Sequence, residues 1–115
     1  MAHSAAIAHL YHRKVGILLR AMARKNNDVL LQRSEYDISS AADLEEELRE
    51  LEPGEAHIDL SNVRYMDSNA LRVMMLTAKK IGGNKPGAVR LRGVTPSMRK
   101  IIQVVTSGQF FTIED

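Results

Sequence analysis

At 115 residues the chain fits one domain around a single hydrophobic core. Apolar residues make up 44% and aromatics only 4%, so that core rests on Leu, Ile, Val and six Met; with no cysteine, disulfides, thiolate metal sites and cysteine nucleophiles are excluded. The net charge of +2 is unevenly spread: twelve of the fourteen acids lie between Asp28 and Asp67, while residues 68–113 hold eight bases and no acid.

Those bases are dispersed over two helices and a strand with no aromatic interleaved, so no direct nucleic-acid binding is expected. No apolar run approaches the roughly 20 residues that cross a bilayer. A soluble, cytoplasmic protein with no membrane span is the simplest expectation.

Residues 1–14 carry bases and no acid, and read as an N-terminal extension to a domain over residues 15–115. Val15 to Leu19 suits a first strand, near residues 15–22. Asn26-Asn27-Asp28 is turn chemistry, because Asn and Asp tolerate left-handed backbone and bond their own main chain. Val29-Leu30-Leu31 then supplies a second strand, making an antiparallel hairpin with the first.

Ser40-Ala41-Ala42-Asp43 has the form of a capping box before a stripe of Leu44, Leu48 and Leu51. Glu45, Glu46, Glu47 and Glu50 fall on the water side of that helix, with Glu45 and Arg49 spaced as an i,i+4 pair. Pro53-Gly54 ends it, and Ala56 to Leu60 reads as the next strand.

A helix follows Asp67, with Leu71, Met74, Met75, Ala78 and Ile81 at helical spacing and Val73 and Leu76 on other faces. So apolar a helix is expected to be buried almost all round. Gly82 to Gly87 stops it and leads to a strand at Ala88 to Arg92. The Gly-Lys-Ser/Thr of a phosphate-binding loop is missing, so these glycines read as a connector. Thr95-Pro96 starts a last helix, Thr as cap and Pro at the first position, with Met98, Ile101, Ile102 and Val105 as its buried stripe. Gly108 closes it, and Phe110 to Ile113 is a short final strand.

The alternation implies an α/β fold: a mixed β-sheet with an opening hairpin and then parallel strands, flanked by helices.

The stretch with most chemical content is Met66-Asp67-Ser68-Asn69-Ala70-Leu71. Asp67 is placed to cap the helix, and Ser68 and Asn69 then stand at its positive end, where free N–H groups point outward. A hydroxyl held there can carry a phosphate at little cost to the fold.

This stretch resembles the Asp-Ser-Ser-Gly-Leu signature of STAS domains, the family of bacterial anti-sigma factor antagonists, with Asn69 and Ala70 replacing Ser and Gly. Ser34-Glu35-Tyr36-Asp37 is similar to that family's Gly-Glu-Leu-Asp segment, and Thr95 to Arg99 and Ser107 to Phe111 look like its closing segment. The resemblance implies a STAS fold, Ser68 as the phosphorylated residue, and partner contacts from Asp67, Ser68, Asn69, Ala70, Leu71 and Arg72, with Asp37 nearby.

It further implies an anti-sigma factor antagonist of the stress response. The unphosphorylated form would sequester an anti-sigma factor serine kinase and so regulate transcription. Alternatives are a non-enzymatic subunit of a larger assembly, such as a stressosome or a lipid-transport ATPase, and a small-ligand or nucleotide sensor. A homodimer is a further candidate assembly.

No catalytic constellation is evident. His3, His9, His12 and His57 are the only imidazoles, and His9 and His12, three residues apart, have no neighbouring carboxylate or thiol. The expectation is a binding module, not an enzyme, with no metal and no cofactor.

Overall fold

The structure, a computed structural model, describes residues 27–83, 85 and 87–114. In chain order these form β1 (Asp28–Leu30), β2 (Glu35–Tyr36), a 3-10 turn (Ile38–Ser40), α1 (Ala41–Leu48), β3 (Ala56–Asp59), β4 (Tyr65–Met66), α2 (Ser68–Gly82), β5 (Val89–Arg92), α3 (Pro96–Thr106) and β6 (Phe111–Ile113).

Among the described residues the main sheet has four strands in the order β1-β3-β5-β6. Its register aligns Val29 with Ile58, Ile58 with Leu91 and Leu91 with Ile113. A separate ladder pairs Tyr36 with Met66. Every described pairing is parallel. The expected opening hairpin is not confirmed among the described residues. Its first strand, near residues 15–22, lies outside the described residues, and β1 pairs in parallel with β3. That pairing needs a long crossover, which β2 and α1 supply.

Strand alternation sets the two faces of the sheet. Ala56, Ile58, Val89, Leu91 and Phe111 point into the core, while His57 and Asp59 lie half-buried on the other face. There the His57 Nε2 stands 3.2 Å from Glu114 Oε1. The core closes with Leu44 and Leu48 of α1, Ala70, Leu71, Met74, Ala78 and Ile81 of α2, and Met98 and Ile102 of α3. Each such Leu, Ile or Met contributes roughly 1.5–3 kcal/mol on burial. Gly93, at φ +68°, sits where any Cβ would overlap the Ser61 hydroxyl, which lets the loops after β3 and β5 meet.

Three expectations need correction. The helix begins a turn earlier than Ser40, because Asp37 caps the 3-10 turn that runs into α1; Ser40 makes no side-chain cap to α1. On α1, Arg49 pairs with Glu46 at 2.9 Å in place of Glu45. Glu47 does not simply face water: its carboxylate accepts the Tyr36 hydroxyl at 2.6 Å and the Gln32 N–H at 3.0 Å. Tyr36 is fully buried, and burial, reinforced by the bond to Glu47, pushes its phenol up to about 12. The Tyr36–Glu47 bond ties α1 to β2 one residue before Asp37.

The helices are also less enclosed than their composition suggests. Leu76 of α2 is 56% exposed, and on α3 Ile101 and Val105 are 37% and 44% exposed. Thr106 takes the third buried position on α3, with its hydroxyl bonded to the Ile102 carbonyl at 2.6 Å. The reason is placement: α3 connects β5 to β6, the last strand of the sheet, so a narrower stripe of it meets the core. As expected, the helix stops at the glycines: α2 ends at Gly82, and the Gly83 N–H caps it by bonding the Lys79 carbonyl at 3.1 Å.

Candidate functional site

The short ladder of β2 and β4 builds the site. Both strands point the same way and are in register at Tyr36 and Met66, so Asp37 and Asp67 follow side by side at their ends. Each aspartate keeps an extended backbone and caps the helical segment that follows it. Two helix starts therefore face the same edge, each with an acid at its mouth.

Asp37 holds its own turn. One of its carboxylate oxygens accepts the Ser39 N–H at 2.9 Å, the Ser40 N–H at 3.2 Å and the Ser39 hydroxyl, while the Ser40 hydroxyl accepts the Asp37 N–H at 2.9 Å. The Ser39 hydroxyl, above all, lowers its pKa below the ordinary carboxylate range.

Asp67 joins the two starts. Its Oδ1 accepts the Ala70 N–H at 2.9 Å as the cap of α2, and its Oδ2 accepts the Ile38 N–H at 3.1 Å from the neighbouring turn. The Asn69 amide reaches Oδ2 at 3.4 Å, and the Asp67 N–H bonds the Tyr36 carbonyl at 3.0 Å.

Ser68, the first residue of α2, is exposed. Its hydroxyl makes no hydrogen bond to another described residue. The Ser68 and Asn69 N–H groups likewise find no acceptor among the described residues, so two backbone donors stand open beside that hydroxyl. Chemically, the arrangement is an accessible nucleophilic oxygen at the positive end of a fifteen-residue helix.

The other site candidates divide by burial. Asn69 and Arg72 are exposed, and Asp37 and Asp67 are half-buried. Ala70 and Leu71 are only 0% and 2% exposed, so they belong to the core and not to a contact surface. They stand three and four places past the N-cap Asp67, on the face of α2 that also carries Met74 and Ala78 into the core.

Two neighbours escape a reading of the signature alone: Ile38 is 72% exposed and Tyr65 is 48% exposed. The alternation around buried Tyr36 and Met66 was the available signal, since it turns Tyr65 outward together with Asp67. Among the described residues no group of three His, Cys, Asp or Glu is placed to hold a metal ion, and no helix is long and apolar enough to cross a membrane.

Comparison with known proteins bears on this geometry. A family model described as "Mlab, STAS domain" matches residues 18–112. Among solved structures, that of the anti-sigma factor antagonist SpoIIAA in its unphosphorylated form is similar, with a TM-score of 0.56 over 80% of this chain and 83% of that one. The two are 12% identical, so the likeness is one of fold. No curated protein sequence matches this chain.

Proposed function

The chain belongs to the STAS domain family, and from that premise we propose that it is an anti-sigma factor antagonist switched at Ser68. In its unphosphorylated form it binds a cytoplasmic anti-sigma factor kinase and thereby acts on transcription as a non-enzymatic module. The domain spans residues 15–115, with residues 1–14 as an extension. Contacts centre on Asp67, Ser68, Asn69 and Arg72, with Asp37 at the rim.

The observation that carries this reading is the exposed Ser68 hydroxyl beside two open N–H groups at the start of α2. A phosphate on that oxygen adds a charge of about −1.5 to −2 at pH 7. The helix terminus favours such a charge by roughly 0.3–1 kcal/mol, and repulsion from a carboxylate about 4 Å away in water is of order 1.5–2 kcal/mol. The net cost of about 1 kcal/mol is small beside the roughly 5–15 kcal/mol that holds a domain together. The phosphate therefore changes the surface and leaves the fold standing, as a switch requires.

Incubation with the anti-sigma factor kinase and ATP, followed by mapping of the modified peptide by mass spectrometry, tests the site. One phosphate on Ser68, absent in Ser68→Ala, is the expected result. Phosphate on another residue refutes it. A chain that takes none and co-purifies with an ATPase core points instead to a fixed subunit of a larger assembly.

A further inference from the structure

The two flanks of α2 differ. Helical rotation of 100° per residue puts Val73, Leu76 and Lys80 on the flank that lines a groove against Leu48 and Leu51 of α1. Ser68, Arg72 and Lys79 cluster about 90° round the helix from these, on the other side of Leu76. Right-handed crossovers between neighbouring parallel strands place α3 on that side. On α3 the same rotation puts Ile101 and Val105 on the side toward α2, with Val104 turned farther out into solvent.

This second flank is apolar and cationic at once. Val104 is 79% exposed, more than any other large apolar side chain among the described residues. Arg72 and Lys79 are exposed and form no ion pair with any described residue. Nothing acidic occurs from Ser68 to Ile113 to neutralise them.

We infer that the α2–α3 flank, from Ser68 and Arg72 through Lys79 to Ile101 and Val104, docks an acidic, partly apolar protein surface. Resting on the reading of Ser68 as the switch, this assigns the charge of the partner's contact face. The sign of the switch requires it. A phosphate at Ser68 weakens the positive field of Arg72 and Lys79 and repels carboxylates on the partner, so binding is lost. A basic partner would be drawn in by the same phosphate. A membrane fits less well, because the exposed apolar residues of this flank are short Ile and Val with no aromatic among them.

The test uses the isotope-labelled full-length protein and three probes: an acidic amphipathic helical peptide of Glu and Leu, its Lys and Leu counterpart, and phosphatidylserine vesicles. Amide shifts on adding the Glu–Leu peptide are expected at Arg72, Lys79, Ile101 and Val104. Lys79→Glu and Ser68→Asp should each weaken that peptide about fivefold, with Lys80→Glu on the other flank unchanged. Shifts confined to the α1–α2 groove, equal or tighter binding of the Lys–Leu peptide, vesicle binding without peptide binding, or no binding at all would overturn the inference. If the peptide maps as expected while the kinase leaves Ser68 unmodified, the docking surface stands and the switch reading falls.

Discussion

Met74→Ala lowers the unfolding free energy by about 3 kcal/mol, within the roughly 2–5 kcal/mol typical of Met truncations in a packed core. Met74 is 1% exposed at the middle of α2, between Ala70 and Leu71 on one side and Ala78 and Ile81 on the other. Its loss opens a void between α2 and the sheet that neighbouring backbone cannot fill by small shifts. A domain of this size has roughly 5–15 kcal/mol in total, so the effect is large. In urea unfolding the midpoint should fall with the slope unchanged. Leu76→Ala is the control. Leu76 is 56% exposed on the same helix and should shift stability by less than about 1 kcal/mol. If the two variants cost the same, α2 is not oriented as described.

Asp67→Ala is expected to cost about 2 kcal/mol, because one carboxylate does two jobs. It caps α2 through the Ala70 N–H, a contribution of about 1 kcal/mol in helices generally. It also accepts the Ile38 N–H and so fastens the start of the first helical segment to the start of α2. That second bond is near solvent, where water can replace it, so its loss adds about 0.5–1 kcal/mol. Asp67→Asn keeps an acceptor oxygen for the cap and should cost about half as much. Denaturant unfolding gives both values, and hydrogen exchange at Ile38 reports the link between the two helix starts. An alanine variant as stable as the parent, with Ile38 exchange unchanged, would show that the bridge holds nothing.

Much of this site could be read from residue types. Asp67 before an apolar helix, and Thr95-Pro96 before the next, are local signals, and each residue sits where its side chain can satisfy free N–H groups. What escaped depended on neighbours distant in sequence. β2 and β4 have two residues each, too few for any period to show, yet their pairing is what sets Asp37 beside Asp67. Ser40 looked like a cap by type, but Asp37 three residues earlier caps the 3-10 turn that runs into α1, and the Ser40 hydroxyl turns back to accept the Asp37 N–H. Ile101 and Val105 have the spacing of a core stripe; only the position of α3 over the sheet's edge leaves them in solvent. Ala70 and Leu71 lie within the signature, but they fall on the buried face of α2 with Met74, Ala78 and Ile81.

Phosphorylation at Ser68 is the centre of the account, and its consequence is a ratio of two dissociation constants. The Kd of the anti-sigma factor kinase for the Ser68-phosphorylated chain, divided by its Kd for the unmodified chain, should be at least about ten, equivalent to roughly 1.4 kcal/mol. A ratio of one, measured on two forms with the same melting temperature, would contradict it.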